Sequence, residues 1–179
     1  MTAADAKKRL RVFFALAADA ATQRSLGVIA RAIASRAGGR SVVDANLHLT
    51  LAFIGDADGE RIEILRKIVA TLPRRPFALE LALIGTFRHS DLAWIAPPNV
   101  PRALTELQSA LAGALANAGL PVEARPFHAH VTLARRCTRK IGGAHIEPLT
   151  WQVERVALLA SIAGANGVAY RELAGLRLA

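Results

Sequence analysis

The chain has 179 residues, of which 53% are hydrophobic and 21% charged, a balance that supports a packed interior and excludes a disordered chain. Basic residues outnumber acidic ones 23 to 14, for a formal net charge of +9, and 19 of the 23 are arginine. Such a field favours polyanions, either nucleic acid or phosphorylated metabolites, although an Ala- and Arg-rich composition also produces it without any ligand. The single cysteine, Cys137, excludes an internal disulfide and a Cys-rich zinc site, which fits a reducing compartment and a cytoplasmic protein.

Residues 9–17 are short, rich in Val and Phe and flanked by charge, and read as a buried strand. Lys7, Lys8, Arg9 and Arg11 ahead of Val12 to Ala18 resemble the start of a secretory leader, but the apolar run lies at the lower length limit for one and reads better as a strand. No uncharged apolar stretch reaches the roughly 18 residues that a membrane-spanning helix requires. Asp19 then caps a helix over residues 20–37 that carries Leu26, Ile29, Ala30 and Ile33 on one face and stops at Gly38-Gly39. A strand containing Leu47 to Gly55 follows, then a helix over residues 60–72 ended by Pro73.

Two strands, residues 77–87 and 91–96, are joined by a polar turn at Arg88-His89-Ser90 and closed by Pro97-Pro98. Pro101 opens a third helix that runs to Ala118, with Leu104, Leu107, Leu111 and Leu115 aligned and Gly119 as its stop. Residues 127–136 read as a strand and 138–148 as a basic, Gly-containing loop. Strands over 151–161 and 168–176 then flank Gly164-Ala165-Asn166-Gly167.

This order contains a faint repeat. Phe13 and Ile95 are 82 positions apart, as are His48 and His130, and each histidine opens a His-x-Thr-Leu. In a strand, residues i and i+2 share a face, so His48 with Thr50, and His130 with Thr132, each present an imidazole and a hydroxyl together. Leu49, Leu51, Val131 and Leu133 are then left for the core. Either copy alone would read as a half-buried histidine satisfied by hydrogen bonds, whereas two copies in matching contexts point to chemistry. Opening a phosphodiester near neutral pH needs one group to take a proton from water and another to protonate the leaving oxygen, and imidazole suits both tasks. Hydroxyl donors can hold the non-bridging oxygens without a metal.

These motifs resemble those of the two-histidine phosphoesterase superfamily. With Arg11 to Leu16, Asn46 to Gly55, His130 to Arg135 and the strand from Trp151 to Leu159, the chain is similar to the bacterial RNA 2′,3′-cyclic phosphodiesterase (2′-5′ RNA ligase-like) family over nearly its whole length. The resemblance implies an α+β, bilobal fold, with two pseudo-symmetric, mainly antiparallel sheets lining a central cleft and helices outside, in a single domain over 1–179. It implies His48 as general acid, His130 as general base, Thr50, Thr132 and Arg135 as phosphate ligands, and no cofactor. The partners it implies are RNA with 2′,3′-cyclic phosphate ends or cyclic nucleotides, bound by a monomer away from membranes. Strict alternation from His130 would turn Arg135 to the opposite face unless a bulge or strand end intervenes. Ala129 stands where the family usually has Pro, which leaves entry into that strand less rigid.

His128 and His130 have the spacing of a metal pair but lack a third ligand at a supporting distance, so no metal is expected. His89 and His145 read as solvated. Arg11 and Phe13 share a face that would reach the cleft, although a core role suits Phe13 better. The rival functions are a non-catalytic module that grips RNA ends, 2′-5′ end joining, and hydrolysis of a different cyclic phosphate.

Overall fold

The computed structural model describes residues 9–164 and 167–179. Lys7 and Lys8 of the leader-like stretch, and Ala165 and Asn166 of the expected last turn, lie outside the described residues.

Strand β1 (Leu10–Ala17) leads through Asp19 into α1 (Ala20–Ala37). The Asp19 carboxylate accepts hydrogen bonds from the N–H groups of Ala21 at 2.7 Å and Thr22 at 2.9 Å, satisfying donors that the first turn leaves free. At the other end Gly38 takes φ 63°, and the Gly39 N–H reaches the Ala34 carbonyl at 2.9 Å, a Schellman closure. The two-residue strand β2 (Arg40–Ser41) and a 3-10 turn (Asp44–Asn46) precede β3 (His48–Ala57). Asp58 caps α2 (Gly59–Thr71), whose buried stripe is Ile62, Leu65, Ile68 and Val69.

The hairpin β4 (Phe77–Thr86) and β5 (Leu92–Ala96) is followed by α3 (Arg102–Asn117), which buries Leu104, Leu107, Leu111 and Leu115. The last strands are β6 (Val131–Arg135), β7 (Ala144–Val153), β8 (Arg155–Gly164) and β9 (Gly167–Arg177).

Three expectations are corrected by the structure. The strand expected over 127–136 begins only at Val131, so His128 and His130 sit in the extended segment that enters it. The loop expected over 138–148 is strand from Ala144 onward, and the strand expected over 151–161 is instead the end of β7 and most of β8, which meet at Glu154. Strand β7 pairs only with β4 among the described residues and lies at a sheet edge there, so its exposed positions carry His145, Glu147 and Pro148, an edge-strand composition that reads as loop.

The strands run in the order β7-β4-β5-β6-β3-β1-β8-β9, with antiparallel pairing throughout, and β2 pairs additionally with β6. The two halves of this sheet, β7-β4-β5-β6 and β3-β1-β8-β9, meet at one residue pair among the described residues, Leu49 with Val131. Both residues are fully buried, and they are the x of the two motifs, so the pseudo-dyad of the repeat passes between them.

The helices are exchanged about that axis. Helix α1, which connects β1 to β3, packs against β5 and β6, whereas α3, which connects β5 to β6, packs against β3 and α2. Helix α2 covers β3, β8 and β9. One apolar cluster runs beneath both halves, from Phe14 and Leu26 to Leu104, Trp151 and Leu158. None of the helices is long and apolar enough to cross a membrane among the described residues.

Candidate active site

Each motif carries a bulge at the same point. On β3, Thr50 pairs with Ala15 and Ala52 with Phe14, which leaves Leu51 without a partner. On β6, Thr132 pairs with Trp94 and Ala134 with Ala93, which leaves Leu133 without one. An extra residue reverses the facing of everything after it. Arg135 is thereby returned to the face of His130 and Thr132, and its charge is felt by the His48 imidazole. The position equivalent to Arg135 in the first motif is Phe53, which is 61% exposed and lines a cavity together with Arg135.

The flanking strands correct the repeat as read from sequence. Leu49 pairs with Leu16, and Val131 pairs with Ile95, so the structural counterpart of Ile95 is Leu16 and not Phe13. The motifs obey the 82-residue offset and the strands beside them do not.

The single β3–β6 pair sets the geometry of the four motif side chains. Carried one step either way, antiparallel register sets His48 across from Thr132 and Thr50 across from His130. The two histidines then lie on the diagonal, a backbone separation of about 7–8 Å that leaves room for a phosphate between them.

Both imidazoles are oriented in the same way. His48 Nδ1–H donates to the Asn46 carbonyl at 2.7 Å, and His130 Nδ1–H donates to the His128 carbonyl at 2.8 Å. In the neutral ring this leaves each Nε2 as an acceptor. His48 Nε2 is met by the Thr50 hydroxyl at 3.0 Å, whereas His130 Nε2 makes no hydrogen bond among the described residues. The Nδ1 anchor holds His130 in place even though Ala129 precedes it.

Aromatic rings pack against both imidazoles. Phe13 packs on His48 with centroids 4.9 Å apart, and Tyr170 meets the same ring edge-on at 5.1 Å. Burial, with the positive charges of Arg135 and His130 adding to it, pushes His48 down to about 4, against the hydrogen bond to Asn46. His130 meets Phe87 edge-on at 5.0 Å, its one aromatic contact among the described residues, and its pKa is also lowered, mainly by burial.

Two cavities flank the motifs. One, of about 550 Å³, extends from His130 and Thr50 past Phe87 to Phe127 and Arg125. The other, of about 530 Å³, is lined by Phe13, Tyr170 and four arginines. Arg11 and Phe13 both reach the cleft; Phe13 is 3% exposed and serves core and site together.

Tyr170 and Asn46 were not among the candidates from sequence. The Asn46 side-chain amide donates to the Val168 carbonyl at 2.6 Å, which ties the start of β9 to the first motif and brings Tyr170 onto His48. The available signals were Asn46 two residues before the histidine and a tyrosine that is unique in the chain. His89 and His128 line the larger cavity, and His145 is exposed on β7. No group of three or more metal-binding side chains forms around His128 and His130 among the described residues.

A paired-imidazole cleft on a two-part antiparallel sheet defines a two-histidine phosphoesterase. The chain belongs to the 2′-5′ RNA ligase superfamily, whose family model matches residues 19–165. It is 34% identical over 103 residues to the RNA 2′,3′-cyclic phosphodiesterase of Escherichia coli (strain K12), a match covering 58% of each chain. It is 32% identical over 115 residues to the protein of the same name from Bacillus subtilis (strain 168), covering 62% of this chain and 63% of that one. By sequence the chain thus spans about three fifths of these two relatives.

By structure the likeness is longer. E. coli LigT complexed with 3′-AMP superimposes with a TM-score of 0.83 and 29% identity, covering 96% of this chain and 99% of that one. LigT complexed with phosphate gives a TM-score of 0.79 and 27% identity over 96% and 98%.

Proposed function

We propose that the protein hydrolyses 2′,3′-cyclic phosphate ends of RNA to 2′-phosphomonoesters without a metal, with residues 1–179 acting as one bilobal phosphoesterase domain. The observation that carries this reading is the pair of imidazoles, each anchored through Nδ1 on a backbone carbonyl, with Nε2 left as the working nitrogen. His130, the general base, takes a proton from water at Nε2 while the water oxygen bonds to phosphorus. His48, the general acid, gives its Nε2 proton to the 3′ oxygen as the bond from phosphorus to that oxygen breaks. One proton is taken and one delivered, and exchange with solvent resets the pair. Thr50, Thr132 and Arg135 hold the non-bridging oxygens as the negative charge redistributes.

With its pKa pushed down to about 4, His48 is mostly neutral at pH 7 in the free site. A bound phosphate opposes that depression, because a nearby anion favours the imidazolium. The acid is therefore charged by the substrate it acts on. The names of the E. coli and B. subtilis relatives, and the 3′-AMP and phosphate held by LigT, support this substrate class. Both motifs come from one chain, so the reaction needs no second copy and is assigned to a monomer. The single buried cysteine fits action in the cytoplasm.

The test is a short RNA ending in a 2′,3′-cyclic phosphate, incubated in excess EDTA with the wild type, His48→Ala and His130→Ala. Conversion to a 2′-phosphate by the wild type alone is expected. Substrate retained on a filter but unconverted by all three would leave an RNA-end-binding module instead, and activity abolished by the chelator would overturn the metal-free mechanism.

A further inference from the structure

The 530 Å³ cavity beside His48 holds more positive charge than one phosphate requires. Arg11, Arg40, Arg135 and Arg136 all line it, all four are exposed, and no carboxylate is among the lining residues. None of the four forms an ion pair with Asp or Glu among the described residues. Arg40 on β2 lies directly across from Arg135 on β6, a cross-strand like-charge pair that is unfavourable until an anion joins it. Arg136 sits at φ 56°, the one non-glycine residue in the left-handed region among the described residues. A turn could use Gly or Asn there at less strain; arginine at this position adds a guanidinium to the cavity that Arg135 also lines.

We propose that this cavity is a second phosphate site, in which Arg136, with Arg11 and Arg40, binds the phosphate on the 5′ oxygen of the ribose whose cyclic phosphate lies between His48 and His130. The argument rests on the hydrolytic reading above and names what that site selects. A strand ending in a 2′,3′-cyclic phosphate carries its next phosphate on the 5′ oxygen of the same ribose. A free cyclic nucleoside phosphate carries none. The second site therefore makes the enzyme prefer a strand end to a free cyclic mononucleotide.

The experiment compares adenosine 2′,3′-cyclic phosphate with and without a 5′-phosphate, which isolates the second anion from any further base. For the wild type the 5′-phosphate is expected to raise kcat/KM roughly tenfold, the size of one good charge-assisted contact. Arg136→Gln should remove most of that advantage and Arg136→Lys should keep part of it. Arg136→Gln should also lower the slope of log KM against log salt by about 0.7 on a short RNA. Arg136→Gly removes the strain along with the charge, so it should match Arg136→Gln in preference while melting at a higher temperature. Equal kcat/KM for the two substrates in the wild type overturns the proposal, as does an Arg136→Gln variant with an undiminished 5′-phosphate advantage. Neither result touches the hydrolytic reading, which fails if the wild type leaves the short RNA with a 2′,3′-cyclic phosphate end unconverted as well.

Discussion

Around His48 the molecule closes: Phe13 lies on the ring, Tyr170 meets its edge, and Thr50 occupies Nε2. Around His130 it stays open, with Phe87 as the one aromatic neighbour and Nε2 free of hydrogen bonds among the described residues. The backbones beneath are alike, with the same Nδ1 anchor two residues upstream and the same bulge at Leu51 and Leu133. Repetition thus sets where the imidazoles stand, and the side chains around them set what each does. After the bulge the halves part further, to Phe53 on one side and Arg135 on the other.

The contrast is broken most completely by removing either ring. His130→Ala and His48→Ala should each lower kcat by about 10²–10⁴, the range for a lost general base or acid, with substrate affinity largely kept. Single-turnover measurements in EDTA would check it, and a tenfold loss or less from either variant would mean that this histidine is not transferring a proton.

Making the halves alike at their divergent position comes next. Arg135→Phe duplicates the Phe53 arrangement and removes the cation aimed at the phosphate, so KM should rise by about 10- to 100-fold, as for a charged hydrogen bond. An unchanged KM would assign Arg135 to the solvated surface.

A pH profile sharpens the difference between the two rings. His48 must be protonated and His130 neutral in the free enzyme, and both titrate below the ordinary histidine value of 6.5, His48 at about 4. The profile of kcat/KM should therefore be a bell with its maximum between about 4 and 6.5, falling as pH rises because His48 has lost its proton. Tyr170→Ala opens His48 to water and should move the maximum upward. A maximum above pH 7 in the wild type would mean that at least one of the two rings is not a proton-transfer group of the reaction.

Acid stability reads the same difference away from catalysis. The folded pKa of His48 is depressed below its unfolded value, so its contribution to stability is present above pH 6.5 and is lost as pH falls towards 4. At roughly 1.4 kcal/mol per pH unit this amounts to about 3 kcal/mol by pH 4. His48→Gln has no such proton to take up, so its Tm should fall less between pH 7 and pH 4 than that of the wild type, by several degrees. Parallel melting curves would mean that His48 is hydrated in the folded state.

Both motif strands and all three helices were legible because they rest on local signals: the alternation around His48 and His130, the Asp19 cap, the Gly38 stop and the leucine stripe of α3. The bulges left no such mark, since Leu51 and Leu133 look like ordinary core positions, and without them Arg135 faces the wrong way. Strand β7 was hidden because an edge strand can carry Pro148 and charge. Tyr170 was out of reach because its approach to His48 depends on a hydrogen bond spanning 122 positions, from Asn46 to Val168. Periodicity in α1 revealed an apolar face but not which strands would cover it.

That exchange of α1 and α3 across the axis bears on ancestry. Two identical half-length chains that traded their helices would form a closed twofold dimer, each unable to bury its own sheet without the other. In such a pair every substitution appears twice, so a phenylalanine at one mouth of the cleft imposes a phenylalanine at the other. Joining the copies end to end removes that constraint while keeping the intertwined packing that holds them together. Duplication and fusion would thus give the molecule what symmetry forbids, a cleft with an aromatic lip on one side and a cationic lip on the other.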